Sequence, residues 1–147
     1  NVIKGSPMKQ ITRITLASFF LIMVSCEDNN TNEEVLAEFG SISGTVTFSG
    51  SWPDSGEVLI TLDTSYPPQG PPAAFSYIAS DDISNGVYNY NFSDLSFRSY
   101  DAITVTYWSL GYGTAGTNYS LIGSYIEAID VSQDTPDITI DMDATFD

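Results

Sequence analysis

The sequence predicts an all-β fold, a single seven-stranded Greek-key β-sandwich over residues 39–147, preceded by an N-terminal apolar segment and a polar stretch. Two observations favour the sandwich. Short stretches rich in Val, Ile, Thr and Tyr alternate apolar and polar side chains, which is typical of half-buried strands. Clusters of Gly, Pro, Asn and Asp interrupt them about every 10 to 15 residues, the spacing of a sandwich of short strands.

The N-terminal segment predicts export. Lys9 and Arg13 precede an apolar run over residues 14–24, and Ser25 is a small residue at the expected cleavage point. The run is shorter than the roughly 20 residues of a membrane-spanning helix, and acidic residues follow it directly. Residues 8–25 are therefore predicted to be a signal peptide, and residues 1–7 an upstream extension.

The end of this signal predicts a lipid anchor. Residues 23–26, Met-Val-Ser-Cys, resemble the bacterial lipobox, in which the cysteine thiol receives diacylglycerol and the new N-terminus an acyl chain. A thiolate is the nucleophile that such a thioether requires. Several acyl chains on Cys26 would hold the protein on a membrane lastingly. The alternatives are an ordinary secretory signal or a buried free thiol.

Residues 26–38 are polar and acidic, and we expect them to form a flexible tether. Glu27 and Asp28 resemble the acidic export signal of Bacteroidota lipoproteins. That resemblance implies an outer-membrane lipoprotein facing the cell exterior. A periplasm-facing position is the alternative.

The charge distribution excludes a nucleic-acid partner. All 19 acidic residues follow Cys26, whereas Arg98 is the single basic residue after it. The part of the chain after Cys26 therefore has a formal net charge of −18. Binding to nucleic acid depends on neutralising phosphates, which this composition does not allow. The simplest role of the acidity is solubility.

Seven strands are predicted after the tether, each from its alternation. Residues 41–49 and 57–64 carry apolar side chains or glycine at every second position, with threonine or serine between many of them. A third stretch is short and partly aromatic, and the fourth has three aromatic residues on one face. The fifth alternates throughout, the sixth is interrupted by Gly123, and the last alternates aspartate or threonine with apolar residues. These five stretches are residues 74–79, 87–92, 101–110, 119–129 and 136–146.

Three of these segments carry a family resemblance. Residues 40–48 (GSISGTVTF), 86–95 (GVYNYNFSDL) and 100–105 (YDAITV) look like the carboxypeptidase regulatory-like domains, which are prealbumin-like (transthyretin-like) β-sandwiches. Residues 97–100 depart from the family pattern, because that turn usually carries proline and glycine. The resemblance spans about residues 40–144 and implies a domain that serves as a structural or binding accessory.

The composition argues against catalysis. The chain has no histidine, which removes the commonest general base and the usual partner of a serine or cysteine nucleophile. A lipidated Cys26 leaves no thiol, and no lysine follows it. Paired carboxylates, as in glycosidases, remain, but no spacing singles out a pair. We therefore expect no enzyme activity and no cofactor other than the lipid on Cys26. Calcium is the one candidate exception.

Acidic residues near the C-terminus are candidate calcium ligands, because calcium takes 6 to 8 oxygen ligands. Asp137, Asp141 and Asp143 are the candidates, with Asp81 and Asp82 as others in a turn. Their alternation with apolar residues is also what a strand with one solvent-facing side produces.

Aromatic residues give the binding hypothesis. Rings on the loops at one end of a sandwich can stack on a sugar or grip a peptide. The alternative is that they cap the core. A second function, docking as an accessory subunit onto another outer-membrane protein, predicts a large exposed apolar patch instead. The candidate ligand-binding residues are Trp52, Tyr66, Trp108, Tyr112 and Tyr119.

Overall fold

Strands dominate the computed structural model, which describes residues 36–114 and 118–147. The predicted upstream extension, the predicted signal peptide, the predicted lipidation site Cys26 and most of the predicted tether lie outside these residues. No helix in the described part is long and apolar enough to cross a membrane. The strands are β1 (Gly40–Ser49), β2 (Glu57–Asp63), β3 (Ala74–Ile78), β4 (Val87–Leu95), β5 (Arg98–Tyr100), β6 (Ala102–Trp108), β7 (Ser120–Tyr125), β8 (Ile129–Val131), β9 (Asp137–Thr139) and β10 (Met142–Thr145).

The first sheet is built around β1. Strand β4 pairs with it antiparallel on one side, and β9 and β10 pair with it parallel on the other. Ile42 and Val46, two apolar positions of the β1 alternation, are fully buried. Ile138 of β9 lies beside Ile42, and Met142 of β10 lies beside Val46, so both C-terminal strands extend the same apolar face.

The second sheet has the order β3-β2-β6-β7 and is antiparallel throughout. Val58, Ile60 and Leu62 of β2 form its inward face together with Ile103 and Val105 of β6. Strands β5 and β8 form a separate two-stranded ribbon.

Side chains from both four-stranded sheets belong to one hydrophobic core. The chain passes between the sheets four times, after β1, after β3, between β4 and β6, and between β7 and β9. The predicted all-β class is thus confirmed, and a strand occurs in each of the seven predicted stretches.

The last predicted strand is divided in two at Ile140 and Asp141. The carbonyl oxygen of Ile140 accepts a hydrogen bond from the Tyr90 hydroxyl, at 2.6 Å. The Asp141 carboxylate, not a backbone carbonyl, accepts the backbone N–H of Thr45 at 2.8 Å. The Ile140 N–H still donates to the carbonyl oxygen of Ser43. Beyond it, side chains replace the backbone ladder, and β9 therefore ends before β10 begins.

Gly123 lies within β7, at a point where strands from the two different sheets meet. A Cβ at Gly123 would lie 2.5 Å from the carbonyl oxygen of Asp143, on β10. The pairing of β7 with β6 also shifts register between Val105 and Thr106. The absence of a side chain lets the edge of the second sheet close against the edge of the first.

Candidate ligand-binding cavity

The outer face of the second sheet carries polar side chains that solvent barely reaches. Thr61 and Asp63 alternate with the inward residues of β2, and Thr104 and Thr106 do the same on β6. Outward polar residues of an antiparallel sheet usually face water. Here Asp63 and Thr104 are only 4% exposed, and Thr106 is 7% exposed.

These residues form the floor of a cavity of about 210 Å³. Its walls come from the proline-rich connection between β2 and β3 and from the segments on either side of residues 115–117. Ala73 donates its backbone N–H to the carbonyl oxygen of Leu62 at 2.8 Å, which ties the end of this connection back to β2. The wall residues are Tyr66, Pro67, Pro68, Gly70, Pro72, Tyr112, Tyr119 and Leu121.

Hydrogen bonds orient the hydroxyl groups of the floor. Thr61 donates to Oδ2 of Asp63 at 2.8 Å, and its oxygen lies 2.7 Å from the Thr104 oxygen. A hydroxyl has one hydrogen to donate, so Thr104 must donate to Thr61 when Asp63 is ionised. The hydrogen bonds then run from Thr104 to Thr61 and from Thr61 to the carboxylate. No hydroxyl of this series donates to Thr104, which leaves acceptor lone pairs on its oxygen.

Burial also changes the electrostatics of Asp63. Loss of solvation raises the pKa of its carboxyl group, and the hydrogen bond from Thr61 partly opposes this effect. Perturbed titratable groups in a cavity are typical of functional sites. The carboxylate is the charged group of the floor.

Trp108 supports two of the wall tyrosines. The indole is buried, and its Nε1–H donates to the Thr106 hydroxyl at 2.9 Å. Its ring lies 4.7 Å from the Tyr119 ring and 5.0 Å, edge to face, from the Tyr112 ring. The backbone N–H of Tyr112 also donates to the Glu57 carboxylate at 2.6 Å. The walls are thus held by contacts to β2 and β6.

The five aromatic residues predicted from the sequence do not all come together. Tyr66, Tyr112 and Tyr119 line the cavity, and Trp108 lies against two of them. Trp52 belongs to another cluster. Its ring lies 5.4 Å from Phe48 and 5.0 Å from Phe146, both of which pack on the core.

Sequence reasoning missed the polar floor and two exposed rings. Asp63 and the threonines follow an ordinary alternation, which predicts a solvent-facing side and gives no sign of a cover. Phe75 and Tyr77 of β3 are each 50% exposed and lie 6.4 Å from the Tyr112 ring. The signal that could have found them is their alternation, which places both on the same outer face as Thr61.

The candidate calcium ligands are engaged with β1. Asp137 accepts a hydrogen bond from Ser41 at 2.7 Å, and Asp141 accepts two from Thr45. Among residues 36–114 and 118–147, no three His, Cys, Asp or Glu side chains are grouped to hold a metal ion. Asp137, Asp141 and Asp143 are therefore not brought together as a site there.

A larger groove of about 630 Å³ lies beside Trp52, Asp54, Glu57 and Tyr77. Its polar side chains are exposed or half-buried. It therefore lacks the desolvated polar groups that fix a ligand's orientation, and the smaller cavity is the better candidate.

Comparisons of the chain with models of protein families, with curated proteins and with solved structures gave no match.

Proposed function

We propose that this chain is a lipid-anchored, non-catalytic binding module that captures glycan or peptide in the cavity over β2 and β6. One observation carries the proposal: a buried carboxylate and buried threonine hydroxyls lie beneath aromatic and proline walls. Ligand sites combine such apolar walls with a few oriented polar groups. Tyrosine rings offer flat faces for a sugar or a peptide side chain.

The proposed fold is a seven-stranded, prealbumin-like Greek key, to which β5 and β8 add a small ribbon. The strand order supports a sandwich other than the immunoglobulin type. In immunoglobulin constant domains the second strand pairs with the first and the fifth. Here β2 pairs with β3 and β6, and β1 belongs to the other sheet.

The absence of histidine from the sequence, and a single carboxylate in the floor, support a role without catalysis. Glycosidases need two carboxyl groups about 5 to 9.5 Å apart. Asp63 is the only acidic residue among those that line the cavity in the described part of the chain.

The proposed location is the outer face of an outer membrane, with Cys26 as the lipidated N-terminus. Mass spectrometry of the mature protein tests the anchor, and an unmodified N-terminus at another residue would contradict it. Protease treatment of intact cells tests the orientation. Survival of the domain would favour the periplasmic side.

Docking onto another membrane protein is the second candidate function. Phe75 and Tyr77 lie half exposed on β3, an edge strand of the second sheet. Edge strands present unpaired backbone groups to which a partner strand can pair. A partner that covers β3 would bury both rings.

Two matched tyrosine variants separate these functions. Tyr66 is 38% exposed and lines the cavity, whereas Tyr77 is 50% exposed and lies outside it. A glycan array and a peptide library are probed with the full chain, with Tyr66→Ala and with Tyr77→Ala. Binding that is lost in Tyr66→Ala and kept in Tyr77→Ala supports the cavity. The reverse pattern supports docking at β3, and binding kept in both variants contradicts the cavity.

A further inference from the structure

We propose that the cavity selects an alkylammonium group, an inference that rests on the proposed binding function and names the chemistry of its ligand. The central observation is Asp63. Asp63 is only 4% exposed, and it lines the cavity. Among the described residues, Thr61 donates to Oδ2 and no side chain donates to Oδ1. An ionised carboxylate can accept about four hydrogen bonds, so this one has capacity left.

The hydroxyl groups of Thr61 and Thr104 also favour a ligand that donates hydrogen bonds. When Asp63 is ionised, Thr61 donates its hydrogen to the carboxylate and Thr104 donates its hydrogen to Thr61. Thr106 accepts the indole N–H of Trp108 and keeps its own hydrogen to donate. The floor therefore offers acceptors at Asp63 and Thr104, and an ammonium group is a pure donor with three hydrogens.

The negative charge of the chain also favours a cationic ligand. Burying a carboxylate without a positive partner is costly, and a bound cation offsets that cost. Arg98, the only basic residue in the described part, is on β5 with its guanidinium carbon 5.8 Å from the Tyr100 ring centre. An excess of negative charge attracts cations and repels anionic sugars.

The walls and the volume suit a small cation. Tyrosine faces attract ammonium groups, and Tyr66, Tyr112 and Tyr119 all line this space. A volume of about 210 Å³ is below the roughly 300 to 1,000 Å³ of pockets for drug-sized ligands. It fits one lysine side chain or one amino sugar rather than an extended oligosaccharide.

Two pairs of probes test this selection and distinguish its sources. The first pair is Nα-acetyl-lysine methylamide and its Nε-acetylated form. The second pair is glucosamine and N-acetylglucosamine. Titration calorimetry at neutral pH with the full chain compares each charged probe with its neutral partner. We expect one charged probe to bind at least about tenfold more tightly than its acetylated form, because a charge-assisted hydrogen bond is lost on acetylation.

Asp63→Asn keeps the shape of the side chain and removes its charge. We expect it to bring the two members of the preferred pair to within about twofold of each other. Asp130→Asn is the matched control, because Asp130 is exposed on β8 and does not line the cavity. If Asp63→Asn fails to fold, the ratio within each pair for the natural chain decides alone.

Equal binding of charged and acetylated probes, or no binding of either charged probe at millimolar concentration, would overturn the ammonium proposal. A preference kept in Asp63→Asn would also overturn it. The proposed function fails separately, when glycan or peptide binding does not depend on Tyr66.

Discussion

Tyr90 provides a test of how the two C-terminal strands are attached to the fold. Its side chain is 4% exposed, and its hydroxyl donates to the Ile140 carbonyl oxygen at 2.6 Å. Ile140 lies between β9 and β10, and its N–H donates to the carbonyl oxygen of Ser43 on β1. Tyr90→Phe therefore removes one hydrogen bond at the point where the backbone ladder is interrupted.

The expected cost follows from what the substitution leaves behind. The ring remains packed 5.5 Å from Phe92, so the loss is confined to the hydroxyl and to a carbonyl without its partner. A buried polar group left unsatisfied costs about 1 to 3 kcal/mol. For a domain of roughly one hundred residues, about 4 °C of Tm accompanies each kcal/mol, so we expect a decrease of roughly 4 to 12 °C.

The pH dependence gives an independent readout. Burial raises the pKa of the Tyr90 phenol, and the nearby Asp141 carboxylate adds to this effect. A raised pKa means that its contribution to stability is complete below the unfolded value, about 10, and is lost as pH rises through the folded value. The natural chain should therefore lose stability above pH 10 more steeply than Tyr90→Phe.

Thermal and urea unfolding of the natural chain, Tyr90→Phe and Tyr107→Phe measure both effects. Tyr107 donates a solvent-exposed hydrogen bond to Ser55, at 2.9 Å, and its loss should change stability by less than about 0.5 kcal/mol. Equal stabilities of the two variants, or an unchanged alkaline slope in Tyr90→Phe, would refute the role assigned to this bond.

Three further predictions concern the close approach at β1, the buried carboxylate and calcium. Gly44→Ala should lower the free energy of unfolding, measured in urea, by about 1 to 3 kcal/mol, because its Cβ would overlap the Ile140 carbonyl oxygen. Gly70 has open space around it, so Gly70→Ala should leave this free energy nearly unchanged. Burial raises the pKa of Asp63, so its contribution to stability is present below its unfolded value of about 3.8 and is lost as pH rises through the folded value. Asp63→Asn should therefore raise Tm at neutral pH and weaken the dependence of Tm on pH above pH 4. A lower Tm at neutral pH would contradict this. Millimolar calcium should leave Tm unchanged, because Asp137 and Asp141 already accept hydrogen bonds from β1, and a rise of several degrees would contradict this.

Alternation predicted the strands well because each strand has one apolar face. Positions such as Ile42 and Ile60 are buried where the period of two requires. The three-residue strands β5 and β8 are too short to show a period. The division between β9 and β10 depends on Tyr90 and Thr45, which are distant in sequence, so local patterns carry no signal of it.

The sequence predicted the candidate site only in part, because alternation shows which side chains point outward but not what covers them. Tyr66, Tyr112 and Tyr119 are aromatic residues on loops and attract attention as such. Asp63 and Thr104 resemble ordinary solvent-facing positions, because the cover over them comes from a connection whose path the alternation does not specify. The polar groups of the candidate cavity are therefore residues that the alternation predicted to face solvent.

The most direct test of the cavity is an NMR titration of threonine methyl groups with Nα-acetyl-lysine methylamide or glucosamine. We predict that the signals of Thr61, Thr104 and Thr106 shift together at a common midpoint. The signals of Thr45 and Thr145, on the first sheet, should stay in place. Shifts confined to the first sheet, or none at Thr104 and Thr106 at saturating probe, would contradict a ligand site on the outer face of the second sheet.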